Sequence, residues 1–114
     1  MKLESKNIDD ILVCDVQAKR ATLDAAEQLR DFLIHAIESG SERIVVDLSD
    51  VEFIDSSFLG AIMAAMKRLV PIHGDLKICT QSEQIMTLLK ITRLNRIFSV
   101  YPSVSNAVSS FEAQ

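Results

Sequence analysis

The chain has no Trp, one Tyr and five Phe, so rings can fill little of its interior. A core must come from interdigitated aliphatic side chains, and the 48% hydrophobic content supplies them. That favours layered packing of helices on a sheet. Glycine is scarce, and Gly40, Gly60 and Gly74 are too scattered to form a phosphate-cradling loop. No low-complexity tract or internal repeat interrupts the sequence. The only cysteines, Cys14 and Cys79, each lie in an apolar run with no second Cys or His at ligand spacing, which excludes a metal site and points to two buried, reduced thiols.

Positive charge is also in deficit: 12 Lys and Arg face 16 Asp and Glu, a formal net charge of -4. Lys67 and Arg68 are adjacent but no basic run extends them, so a phosphate-neutralising surface, and with it direct nucleic-acid binding, is not expected. A basic or neutral protein patch is the better partner. Residues 1–10 interleave Lys2, Glu4, Lys6, Asp9 and Asp10 with apolar residues, which fits neither a signal peptide nor a membrane span. The expectation is a cytoplasmic chain without membrane insertion. Only His35 and His73 are available as bases, one in an amphipathic helix and one in a turn, so neither a serine hydrolase nor a histidine phosphocarrier is supported. Asp9-Asp10 precede their strand, which does not suit the magnesium-holding acidic pair of a phosphoaspartate receiver. No enzyme activity, cofactor or metal is expected.

At 114 residues one core is favoured, and the chain reads as a single domain spanning 1–114. An opening hairpin leads into the strand Ile11 to Val16, and Ala18 to Leu23 adds a short extended piece. Asp24 then caps an amphipathic helix, with Glu27 in capping-box position, and Ser39-Gly40 ends it. Arg43 to Leu48 is too continuously apolar for a half-exposed strand and belongs at the centre of the sheet. Asp55-Ser56-Ser57 opens a second helix to Leu69, with Leu59, Ile62, Met63 and Met66 in its apolar stripe, and Pro71 and Gly74 terminate it. Leu76 to Thr80 is a strand, Ser82 caps a third helix to Leu89, Ile97 to Val100 is a final strand, and Pro102 starts a last helix. This alternation predicts an α/β fold: a mixed, mostly parallel sheet of four to five strands packed with four helices.

The informative stretch runs from Val45 to Ile62: a buried strand ending Asp47-Leu48-Ser49, an apolar pair Phe53-Ile54, then Asp55-Ser56-Ser57-Phe58-Leu59-Gly60 at a helix start. Read from the residues alone, Asp55 or Ser56 is a helix cap, since both types are common there. A serine between a strand end and a helix start is also held at the surface, where helix amides and dipole tolerate added negative charge.

This stretch resembles the signature of the STAS domain family, of the anti-sigma factor antagonist type, and Leu23-Asp24, Ala26, Leu29 and Arg30 are similar to that family's first-helix start. The resemblance covers nearly the whole chain and implies a single STAS-like domain. It further implies that Ser56 accepts phosphate from a partner serine kinase, with adjacent Ser57 as the secondary candidate. The unphosphorylated form would bind an anti-sigma factor that is itself the kinase, a serine phosphatase would reverse the modification, and Asp24, Asp55, Ser56, Ser57 and Phe58 would form the partner-binding set. Asp47 is a further residue to inspect. Phe58 departs from the family, which commonly has Gly there; its ring either turns into the core or stays exposed as an anchor, and its bulk narrows or blocks access to Ser56. The alternative is a STAS subunit of a lipid-transport or stress-sensing complex with no phosphoswitch.

Overall fold

The computed structural model describes residues 1–112. Strands β1 (Lys2–Ile8) and β2 (Ile11–Gln17) form an antiparallel hairpin closed at Asp9-Asp10, where Asp9 takes a positive φ of 56° that aspartate tolerates better than most residues. The short β3 (Arg20–Ala21) precedes helix α1 (Leu23–Glu38), then β4 (Arg43–Asp47), the short β5 (Phe53–Ile54), α2 (Ser56–Leu69), β6 (Asp75–Cys79), α3 (Glu83–Ile91), β7 (Ser99–Tyr101) and α4 (Val104–Glu112). The main sheet has the order β1-β2-β4-β6-β7, parallel throughout except for β1 against β2. The expected mixed, mostly parallel sheet with four helices is therefore present. What the sequence did not announce is a second, two-stranded parallel sheet of β3 and β5.

Alternation along the strands divides the core in two. Ile44, Val46 and Leu48 join the large aliphatic core beneath α1, α2 and α3, while Val45 joins a smaller one with Val13, Ala107 and Phe111 beneath α4. Both faces of β4 are covered, which is why its run of apolar residues is unbroken. The smaller core also contains Lys77, fully buried on β6; its Nζ donates to Ser110 Oγ at 2.6 Å and sits 4.2 Å from the centre of the Phe111 ring. Both contacts tie α4 to the sheet through a cation.

Four boundaries differ from those expected, each for a local reason. Helix α1 begins at Leu23, with Thr22 and not Asp24 at the N-cap, because Thr22 is extended and its carbonyl already accepts the Ala26 amide at 2.8 Å. Asp24 thus lies inside the first turn, where the helix dipole favours it, and no capping box forms with Glu27. Pro71 does not stop α2 outright but sits in a 3-10 turn, Val70–Ile72; a Cβ on Gly74 would come within 2.6 Å of the Glu42 carbonyl, so the chain there needs glycine for close approach. The last strand starts at Ser99 because Leu94–Arg96 is a 3-10 turn whose Leu94 carbonyl takes the amides of both Ile97 and Phe98. The last helix starts after Ser103, whose hydroxyl accepts the Asn106 amide at 3.1 Å, and not at Pro102.

Cys14 and Cys79 are free and buried, and burial, reinforced by nearby carboxylates (Asp15 and Asp47 for Cys14, Asp47 for Cys79), pushes each thiol up to about 12. A thiol whose ionisation is suppressed in the folded state supports folding below the unfolded thiol range near 9, and that support is lost as pH rises toward 12. A disulfide exchange reagent at pH 8 is therefore expected to label neither cysteine in the native chain and both in denaturant. Rapid labelling of native protein would contradict the burial of both thiols.

Candidate functional site

The β3–β5 pair organises the site. The two strands run parallel with Ala21 opposite Ile54, so the next residues are matched: Thr22 with Asp55, the N-caps of α1 and α2, and Leu23 with Ser56, their first helical residues. Both helix N-termini consequently emerge at one rim, bringing Asp24 to the same end of the molecule as the serines. The Glu52 and Phe53 amides both donate to the Lys19 carbonyl, at 2.8 and 3.2 Å, and the Arg20 guanidinium lies 4.4 Å from the centre of the Phe53 ring.

At the rim, Asp55 is extended and its Oδ1 accepts the Phe58 amide at 2.9 Å, an N-cap worth about 1 kcal/mol. The three residues that follow then separate by exposure. Ser56 is exposed, Ser57 half-buried and Phe58 fully buried, because each helical step rotates the side chain by about 100° from solvent toward the core. The Ser56 and Ser57 amides belong to the first helical turn, which lacks intrahelical acceptors, so the hydroxyl of Ser56 lies where positive dipole and unpaired donors meet solvent.

Phe58 is therefore not an exposed aromatic anchor: its ring is sealed in the large core, and only its amide serves the site. Nor does its bulk stand over Ser56, since it points into the protein. Ser57 borders a groove of about 350 Å³ between α1 and α2, shared with Leu23, Ala26, Arg30, Gly60 and Ala64. Small residues on α2 leave that space, and Leu23 is 59% exposed at its edge. Asp47 is not brought to this rim. It continues the alternation of Val45 on the α4 side of the sheet, and its carboxylate accepts the Ser49 amide at 3.0 Å and the Ser49 hydroxyl, closing the turn after β4. His35 and His73 are both exposed, in α1 and in the turn before β6.

Gln84 joins the site with no signal in the sequence around it. On α3, thirty positions away, it accepts the Ile54 amide through Oε1 at 3.2 Å and donates to the Ile54 carbonyl through Nε2 at 3.3 Å. No spacing rule signals such a contact, because it depends on where α3 docks. Ser82, expected only to cap α3, also donates from Oγ to the Glu52 carbonyl at 2.8 Å. Among the described residues no group of three or more His, Cys, Asp or Glu is placed to hold a metal ion, and no helix is long and apolar enough to cross a membrane.

The chain that builds this capped Asp-Ser-Ser turn matches the STAS domain family over residues 2–107. The chain belongs to the STAS domain family. BtrV of Bordetella bronchiseptica, named as a candidate anti-sigma factor antagonist, is 29% identical over 112 residues, covering 98% of this chain and 96% of BtrV. A Thermotoga maritima protein described in the same terms has a crystal structure that superposes with a TM-score of 0.85 at 25% identity, covering 95% of this STAS chain and 92% of that one. The anti-sigma factor antagonist SpoIIAA shares the fold at 16% identity in its unphosphorylated form, with a TM-score of 0.77 over 98% of each chain. In its phosphorylated form the TM-score is 0.76 at 18% identity, covering 96% of this chain and 99% of SpoIIAA.

Proposed function

We propose that this STAS chain is an anti-sigma factor antagonist: a protein-protein switch, not an enzyme, that binds an anti-sigma factor with serine-kinase activity while Ser56 is unmodified. The γ-phosphoryl group of the kinase's ATP passes to Ser56 Oγ, the hydroxyl proton leaves, ADP departs, and the antagonist is released. A serine phosphatase resets it by hydrolysis. The antagonist works in the cytoplasm.

The observation that carries the reading is the exposed Ser56 hydroxyl at the first position of α2, behind an Asp55 carboxylate already committed to the Phe58 amide. A kinase reaches that oxygen without unfolding anything. A phosphate there meets helix-start amides, so the helix survives while the charge at the rim changes by roughly -1.5 to -2. The names of the STAS relatives support the antagonist role, and the existence of SpoIIAA in two phosphorylation states supports a modification that leaves the fold in place. Ser57 is the weaker acceptor because it is half-buried against α1. Leu23 and Asp24, at the matched start of α1, extend the partner-binding rim.

The test pairs labelling with binding. Incubated with its anti-sigma kinase and ATP, the wild-type chain should take up one phosphate on Ser56, and Ser56→Ala should take up none while keeping wild-type affinity for the kinase. Full labelling of Ser56→Ala would move the site to another residue. Loss of affinity in Ser56→Ala, with its circular dichroism unchanged, would make the hydroxyl a binding group and not a switch.

A further inference from the structure

β5 is two residues long and, among the described residues, has a strand neighbour on one edge only. In an extended segment successive backbone groups point to opposite edges. The Phe53 and Asp55 amides use the β3 edge, donating to the Lys19 and Ala21 carbonyls at 3.2 and 3.4 Å. The Ile54 amide and carbonyl must then face the other edge, where no strand lies. A carboxamide is the one side-chain group that reproduces a peptide's donor and acceptor side by side, and Gln84 supplies both to Ile54. One group further along that edge, Ser82 Oγ holds the Glu52 carbonyl, and the same oxygen accepts the Ile85 amide that starts α3. The first turn of α3 thus replaces a missing strand for the segment that delivers Ser56.

We propose that Gln84 is a positioning residue for phosphoryl transfer to Ser56, acting through Ile54; this rests on Ser56 being the phosphoacceptor. A single residue, Asp55, separates Ile54 from Ser56, and it has a long 3.4 Å backbone bond to β3. Its carboxylate is tied forward, to the helix it caps. Ile54, with its side chain buried and its backbone held by Gln84, is consequently the last firm anchor before the rim. If it drifts, the Asp55 cap and the Ser56 oxygen drift together. In-line attack on a phosphoryl group tolerates little of this, since a misplacement of about 1 Å costs on the order of a hundredfold in rate. Gln84 bonds to Ile54 and not to Ser56, so its effect on the accepting oxygen is carried by the backbone between them.

The experiment compares intact wild type, Gln84→Leu and Gln84→Glu. Glutamate keeps the shape and the acceptor for the Ile54 amide but loses the donor to its carbonyl, so it guards against a Leu variant that fails to fold. Two measurements are made: residue-resolved amide hydrogen exchange, and steady-state phosphorylation by the anti-sigma kinase with ATP. Gln84→Leu should exchange the Ile54 and Asp55 amides about tenfold faster or more with β4 amides unchanged. Gln84→Glu, whose carboxylate still accepts the Ile54 amide but now faces the Ile54 carbonyl without a donor, should do so less. In both, kcat should fall roughly ten- to a hundredfold with KM within about twofold. Wild-type exchange at Ile54 in Gln84→Leu, or wild-type kcat in either variant, overturns the proposal, as does a uniform rise in exchange that reaches β4. A wild-type chain that is never labelled on Ser56 overturns the phosphoacceptor reading and the kinetic role with it, whereas exchange at Ile54 separately decides whether Gln84 holds the turn.

Discussion

Complete phosphorylation of Ser56 is expected to weaken binding to the anti-sigma partner about a thousandfold, a difference of roughly 4 kcal/mol. The unmodified rim is small, polar and partly apolar: Ser56 is exposed, Asp55 is occupied by its cap, and Leu23 stands out from the start of α1. A partner surface shaped to a neutral hydroxyl at that rim has no space set aside for a phosphate. On docking, the new group loses water on the partner's side, and Asp55 next to it adds like charge. Calorimetric titration of the purified phosphorylated and unphosphorylated chains against the same partner reads the effect directly. Ser56→Asp adds one charge and less bulk, so its loss should be smaller but in the same direction. Equal affinity of the two phosphorylation states would end the switch reading, even with Ser56 labelled. Because the change is local, far-ultraviolet circular dichroism and melting of the modified chain should stay close to those of the unmodified one.

The second large effect concerns the residue directly behind the rim. Phe58→Ala should lower stability by about 3–5 kcal/mol, since it removes a fully buried ring from the large core and leaves a cavity between α2 and the sheet. For a chain of this size that corresponds to a fall in melting temperature of roughly 15 °C. Phe58→Leu keeps most of the apolar contact and should lose about 2 kcal/mol or less. Partner affinity per folded molecule should hardly change in Phe58→Leu, because the ring offers nothing to the surface; denaturant titration alongside the binding measurement separates the two. A well-folded Phe58→Leu with a hundredfold loss of affinity would restore the anchor role that burial removes.

That contrast between Phe58 and Ser56 shows what local patterning reveals. Both sit in one motif, two residues apart, and hydropathy favours an inward Phe58 and an outward Ser56 without excluding an exposed aromatic anchor. The helix phase decides it, and the phase is set by where Asp55 caps α2. The same holds at α1, where Asp24 and Thr22 are both good cap residues; pairing of β3 with β5 extends Thr22 and starts the helix there.

The order of strands and helices, the central place of β4, the opening hairpin, the caps at Asp55 and Ser82 and the buried thiols all rest on interactions between residues close in the chain or on periodicities of two and 3.6, and so are written in the sequence. The β3–β5 pair, the burial of Lys77 against Phe111 and the Gln84 clamp on Ile54 join residues roughly thirty positions apart. Such contacts exist only after whole elements dock on a common sheet, since a carboxamide or an ammonium finds its partner through the geometry of that docking and not through its neighbours in the chain.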